Sequence, residues 1–539
     1  MKEIFKFISP YWRRGIIPVI FLLFSTGISL LYPLFPKWAI DNVFLKSHYE
    51  RLSILAGLFL ILIFLQRLFS YLNETTFFKF QRNTILNIQK DLLNRIFQFP
   101  LDFFDRKHSG YLVGRIRNDV SGLSYIFSEG IVMVLMDAIK FFAGIFILFT
   151  LNIKLTLICI SIVPFLIFKI ISSKDEIRRI NEEILEEHAK VEKELSDVFQ
   201  GVEVLKSFSK EEIGRIRAEN ALSKFNQIEI KRNLKLSFYR NFIDLIVHIG
   251  EVLLLYFGIR ELIVGNLSMG GYIAFNGYLI YLYYPIRNLS YANVYFDYAK
   301  RSYRRIKELM DILPENRGEK EIENIESIEV KNLAFSYDGQ RDILKNIDFK
   351  IKKGERILIS GESGTGKSTL VKLLLGLYRP KEGKIFYNEV SLDELDKKKL
   401  REKIGYISQN IFLFNSTLRE NILLGKECSD EELERILREC KLEERIRKKG
   451  DHLSNSLLDI EVSEKGINFS GGERQLIALA RALVKKPEVI ILDEAVANLD
   501  IETAKEIEGM IDSKFKNSII IKISHRGEQK GWRVIELKS

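Results

Sequence analysis

The chain has 539 residues, room for two or more domains at about 150 residues each, and 47% of them are hydrophobic, crowded into long uncharged runs in the first half. Three widely spaced cysteines, Cys159, Cys428 and Cys440, exclude a disulfide framework and fit a reducing compartment. The net charge of +10 comes without aromatic-interleaved basic motifs or zinc spacing, so nucleic acid is not an expected partner; excess Lys and Arg on cytoplasmic segments of a membrane protein accounts for it.

Crossing a bilayer takes about twenty mostly apolar residues. Six such segments are expected, at 16–35, 52–72, 131–150, 155–171, 242–265 and 272–286. Lys2, Lys6, Arg13 and Arg14 precede the first, but no small-residue cleavage site follows, so it reads as a span and not a signal peptide. An even count leaves both termini on one side. The basic flanks 79–117, 169–240 and 300–307 put that side in the cytoplasm.

Two of the cytoplasmic connections run to roughly sixty residues. IQKDLLNRIFQF and RINEEILEEHAKVEKEL have helical periodicity with paired charges, so the spans are expected to continue as rods. DFFDRKHSGYLVGRIRNDV and VLKSFSKEEIGRIR read as the rod tips. Within the spans, charged residues are costly and point to function. Arg240, Asp244, His248 and Glu251 fall on one helical face; Asp137 and Lys140 share a turn; Tyr281, Tyr284, Asn288, Tyr291, Tyr295 and Tyr298 repeat in helical rhythm. Together they suggest a solute cavity polar on one wall and aromatic on another. Interhelical hydrogen bonding is the plainer alternative.

The transmembrane domain is expected to fill 1–310. DILPENRGEKEIEN, with Pro314 and Gly318 as breakers, marks a linker at 311–325, and a second domain is expected over 326–539. There SIEVKNLAFSY, KNIDFKI, ERILISG and EVIILD read as strands, alternating with helices such as KSTLVKLLLGLY and ERQLIALARAL. That alternation predicts an α/β domain with a largely parallel sheet.

GESGTGKST at 361–369 lies between a strand and a helix and contains the G-x-x-x-x-G-K-[ST] phosphate loop. Gly361, Glu362, Ser363, Gly364, Thr365 and Gly366 supply backbone for the phosphates, Lys367 reaches the β/γ-phosphates, Ser368 holds Mg²⁺, and Thr369 completes the expected ATP-binding set. VIILDE ends in Asp493, placed for the Mg²⁺ shell, and Glu494, placed to deprotonate water. Ser470, Gly471 and Gly472 precede another helix and turn its amides toward an anion. One nucleotide does not need two cradles so far apart in one domain.

In this order and spacing, LISGESGTGKST, YISQNIFLF, INFSGGERQ, VIILDEAVANLD and ISHR resemble the nucleotide-binding domain of ABC transporters. PKWAIDNVF, FPLDFFDRKHSGYLVGRIRNDV and PIRNLSYA resemble the six-span domain of the exporters, and the likeness covers nearly the whole chain. It implies an α-helical six-span membrane domain with long cytoplasmic extensions, followed by a P-loop ATPase of the ABC type.

The resemblance implies further roles. Tyr337 stacks on adenine, Gln409 senses Mg²⁺ and the attacking water, Asp500 communicates across a dimer, and His525 contacts the γ-phosphate. Ser470-Gly471-Gly472 caps the nucleotide held by an opposite subunit, with Glu473 where glutamine is usual and Phe469 at a leucine-like position. One phosphate loop and one signature make two half-sites, so the expected partner is a second copy. The chain ends fourteen residues after His525, shorter than the family pattern, and WRVIELKS is expected to form a strand.

The expected activity is ATP-driven export of an amphipathic solute, lipid or peptide across a prokaryotic inner or plasma membrane, with ATP and Mg²⁺. A lipid flippase, one half of a heterodimer and an ATP-gated channel or regulator are the alternatives.

Overall fold

The computed structural model describes residues 15–107, 109–125, 131–316, 318–362, 364–448, 457–524 and 531–537. The chain divides into two compact units, Met1–Phe97 with Ser109–Ile312, and Gln98–His108 with Leu313–Ser539.

The first unit is helical. Helix Ile16–Leu31 stops just before Pro33, and a short helix Leu34–Trp38 and a π-turn Ala39–Phe44 continue it. Helix Glu50–Ile96 then runs 47 residues without a break, about 70 Å at 1.5 Å per residue. Its apolar stretch has Ile54, Leu60 and Phe64 about two-thirds exposed, which in water would be untenable and in lipid is the rule.

Helix Ile131–Leu151 ends at Asn152, whose side chain accepts from the Leu155 amide at 3.0 Å and starts Ile153–Ile160. Helices Val163–Gln200 and Glu211–Ile263 lie side by side, tied by Arg217 to Glu194 at 2.7 Å and by Lys235 to Glu176. Between them the six-residue helix Val202–Ser207 forms the second rod tip. The rods are thus continuations of the spans.

Among the described residues five helical stretches are long and apolar enough to cross a membrane. Met269–Met310, which carries the sixth expected segment, is not among them. Its position explains the difference. Phe275, Tyr278 and Leu282 are fully buried against neighbouring helices, and a helix that faces protein needs less hydrocarbon than one that faces lipid.

The second unit is α/β, but not on one sheet. Strands β1 (Ser327–Phe335), β2 (Leu344–Lys352), β4 (Glu382–Tyr387) and β5 (Val390–Ser391) form an antiparallel sheet in the order β2-β1-β4-β5. Strands β3 (Arg356–Ser360), β6 (Ile404–Ile407), β7 (Val489–Asp493), β8 (Ile519–Ile523) and β9 (Arg533–Glu536) form a parallel sheet in the order β6-β7-β8-β3-β9. The parallel sheet expected from alternation is present, and a second, antiparallel sheet accompanies it. β1 and β2 are joined by a short connection, which suits antiparallel pairing. WRVIELKS supplies β9, as expected.

The parallel sheet has two apolar faces, read from alternation along β7. Val489 and Ile491 join the cluster that holds the helix Lys367–Leu374; Ile490 and Leu492 join the cluster that holds the helix Gly471–Val484. The two helices that could each cradle an anion are thus on opposite faces of one sheet.

Residues 313–316 and 318–325 are not a loose tether. Glu315 pairs with Arg401, its amide donates to the Gln98 carbonyl at 2.6 Å, Lys320 bridges to Leu395, and Ile325 is fully buried. The first rod tip, helix Leu101–Arg106, packs Leu101 on the same cluster and accepts the Tyr378 hydroxyl on Asp105.

Candidate nucleotide site and membrane cavity

β3 runs into the phosphate loop, where Gly361, Gly364 and Gly366 take φ of +156°, +87° and +88°. At Gly366 a Cβ would come within 2.8 Å of Ile343 and Leu344, so neither conformation nor space admits a side chain. Lys367 is 6% exposed, and its ammonium donates to the Gly361 and Glu362 carbonyls at 2.8 and 2.6 Å. The cation therefore lies across the loop, where it can meet phosphate oxygens. The Thr365 hydroxyl bonds the Glu362 carbonyl at 2.9 Å, and the Tyr337 hydroxyl lies 3.1 Å from Thr369 Oγ1. Ser363 and His525 lie outside the described residues.

At the end of β7, Asp493 is 2% exposed, and burial raises its pKa against the opposing bonds from Ser368 and Tyr406. Glu494 follows with φ +54°, a left-handed conformation that costs a non-glycine residue free energy and concentrates at functional sites. Gln409, just past β6, donates to Glu494 Oε2 at 2.7 Å. Asp493, Ser368 and Gln409 can offer only oxygen donors to a metal, one of them a buried carboxylate, a chemistry that fits Mg²⁺ better than a soft metal.

On the opposite face, Ser470 caps the helix Gly471–Val484 in a reciprocal capping box. Its Oγ accepts from the Glu473 amide at 3.3 Å, and the Glu473 carboxylate accepts from the Ser470 amide at 2.7 Å. A carboxylate at 473 thus fixes the entry to the helix. Glu473→Gln can keep this acceptor and Glu473→Ala cannot. We expect the alanine variant to lose about 1 kcal/mol and the glutamine variant much less, read as the calorimetric unfolding of the ATPase unit in the purified chain.

Residues that the motifs did not point to hold these parts together. Gln475, 2% exposed, donates to the Glu494 carbonyl and accepts from the Asn498 amide, both at 3.1 Å. Arg481 donates to the Phe412 carbonyl at 2.8 Å, tying the same helix to the loop after Gln409. A Gln and an Arg inside the apolar run ERQLIALARAL were the available signal. Asp500 caps the helix Ile501–Lys514 through the Thr503 amide and pairs with Arg445; these bonds hold its carboxyl down at about 2.

In the membrane unit, Asp137, Lys140, Tyr281 and Tyr284 line one cavity of about 530 Å³, together with Ser25, Gln66 and Asn288. Asn288 donates to Asp137 at 2.9 Å, and the Tyr281 hydroxyl donates to the Ser29 carbonyl at 2.9 Å. Arg240, Asp244, His248 and Glu251 do share a helix, but none lines this cavity; His248 and Glu251 form a 2.9 Å exposed pair. The side chain of Tyr291 lies outside the described set.

Helices long and apolar enough to cross a membrane, followed in one chain by an α/β unit with a phosphate loop, define the class of ATP-driven membrane translocases. Residues 16–286 match the family model of the ABC transporter transmembrane region and 344–497 the family model of the ABC transporter. The chain belongs to the ABC transporters, as an exporter-type half-transporter, and it hydrolyses ATP to drive transport.

Its relatives include the ATP-dependent lipid A-core flippase of Desulfotalea psychrophila, 28% identical over 98% of this chain and 92% of the relative. A Staphylococcus aureus chain provisionally named a multidrug export ATP-binding/permease protein is 28% identical with the same coverage. The fold matches a bacterial Atm1-family ABC exporter with ATP bound at a TM-score of 0.83, with 24% identity, over 95% of this chain and 91% of that one.

Proposed function

We propose that the chain works as a homodimer that exports an amphipathic solute by alternating access. It would sit in a prokaryotic cell membrane with six spans and with its termini and ATPase unit in the cytoplasm. The observation that carries the dimer is the separation of the phosphate loop and the signature by the thickness of one sheet. A single chain holds two unlike half-sites, and two chains facing each other complete both.

Within each site, Lys367 and the loop amides hold the phosphates of ATP, and Tyr337 takes the adenine face. Asp493, Ser368 and Gln409 would hold Mg²⁺, which when bound neutralises charge on the β- and γ-phosphate oxygens. Glu494 takes a proton from water as its oxygen attacks the γ-phosphorus, the bond to the bridging oxygen breaks, and ADP and phosphate remain. Gln409 positions that water by holding Glu494. His525 is assigned the γ-phosphate from the family resemblance alone. Ser470, Gly471, Gly472 and Glu473 cap the partner's ATP, and Asp500 and Arg445 join the two sites.

For the solute, Asp137 and Lys140 with Tyr281 and Tyr284 favour a molecule with both charge and apolar surface. A lipid flippase is the second reading, favoured by the relative named as one. Purified chain in sealed vesicles separates them. Export predicts ATP-dependent accumulation of an amphipathic dye, lost or altered in Asp137→Ala; flipping predicts ATP-dependent movement of a labelled phospholipid between leaflets. Neither signal, with ATP still hydrolysed, would overturn both.

A further inference from the structure

Lys397 is 3% exposed, yet it makes no hydrogen bond or ion pair among the described residues. Lysines this buried are rare unless paired; here the stem is enclosed while the ammonium, which is not among the sealed polar atoms without a partner, keeps access to solvent. Its acidic neighbours are already engaged: Glu315 pairs with Arg401, and Asp393 lies 3.5 Å from Arg379. Burial accordingly holds the Lys397 pKa below its ordinary value, even with those carboxylates nearby. The stem passes Gly376, where a Cβ would sit 3.2 Å from Lys397 Cδ, so the glycine leaves it room.

The same lysine lines a groove of about 880 Å³ in the ATPase unit. That volume is within the range of about 300–1,000 Å³ found for small-molecule sites. Its walls are the first rod tip, residues 313–316, the aromatic trio Phe335, Tyr337 and Tyr378, and the turn 376–379. Arg106 and Arg379 stand on the wall, but each has its own carboxylate, Asp102 at 2.9 Å and Asp393. The groove therefore offers apolar rings and one ammonium that no carboxylate pairs with directly, Glu315 and Asp393 acting on it only at a distance.

We propose that this groove is a binding site for a small organic anion, a carboxylate, sulfonate or phosphate ester on a ring-sized apolar body, with Lys397 receiving the charge. The site is distinct from the phosphate loop but shares Tyr337 with it. An occupant touches the rod tip and the ATPase fold at once. Binding would therefore change the KM for ATP more than the turnover at saturation.

The test uses the full chain in lipid nanodiscs with naphthalene-1-sulfonate as probe and the uncharged 1-naphthalenemethanol as control. Wild type should bind one sulfonate per chain saturably, more tightly than the control. Lys397→Met should weaken it tenfold or more, Lys397→Arg by less than threefold. The Met variant should unfold at the same temperature as wild type or higher, because an apolar side chain replaces an unpaired charge. A saturating non-hydrolysable ATP analogue should leave binding in place.

Equal binding by Lys397→Met and wild type, equal binding of the neutral control, or full displacement by the ATP analogue would overturn the site. Should Lys397→Met not fold, Lys397→Gln carries the test, since a neutral amide keeps most of the stem and removes the charge. At least threefold weaker binding is expected, and unchanged binding overturns the proposal. ATP hydrolysis measured without probe keeps this outcome separate from a failure of the transport reading.

Discussion

Replacing Glu494 by Gln is expected to leave ATP binding intact and slow hydrolysis by about a hundredfold or more, the range for loss of a general base. The carboxylate is half-buried, follows the buried Asp493 at the end of β7, and is held at 2.7 Å by Gln409. The amide keeps shape and hydrogen bonding but cannot take the proton. The backbone at Glu494, fixed at φ +54° and by Gln475 on its carbonyl, would be undisturbed. Purified variant in lipid should therefore occlude ATP and accumulate a closed dimer. Turnover like wild type would remove Glu494 from the role of base.

The motifs were legible because each couples local backbone to chemistry. GESGTGKST requires left-handed glycines, and they are present at Gly364 and Gly366. Rod continuity was legible too, since paired charges with helical periodicity do not fit a loop. Other features depend on partners distant in sequence. The pairing of β1 with β4 rather than with β3 is set by long-range packing, so alternation of strands and helices points to the parallel sheet but does not separate the antiparallel one from it.

Spacing assigned Arg240, Asp244, His248 and Glu251 to one face of a helix, and a period cannot say which way a face points. Nothing local in Lys397–Lys398–Lys399 sets its first member apart, and only tertiary packing buries it. Gln475 was hidden for the opposite reason. A single polar residue in an apolar helix looks like an interruption until the structure sets Glu494 and Asn498 on either side of it.

The second large effect concerns two lesions placed in different chains of one dimer. Lys367→Ala removes the cation lying across the phosphate loop. Gly471→Asp sets a like charge where, in the proposed composite site, the capping amides would face phosphate. The choice of 471 is structural: a Cβ there meets Asn498 at 3.5 Å, an ordinary contact, whereas at Gly472 it would press on the Asn498 carbonyl at 3.0 Å. Ser470 and Glu473 keep their capping box in either case. If each chain served its own nucleotide, a dimer of one Lys367→Ala chain and one Gly471→Asp chain would have two dead sites. If the signature reaches across, both lesions fall on one composite site, and the other joins an intact loop to an intact signature. We expect purified mixed dimers to occlude about one ATP each and to recover part of the hydrolysis, while either mutant homodimer stays near background. Occlusion is the better readout, since cooperative firing could suppress turnover even at an intact site. Assembled mixed dimers that occlude no more ATP than the two homodimers would refute the composite site, and with it the homodimer as the working unit.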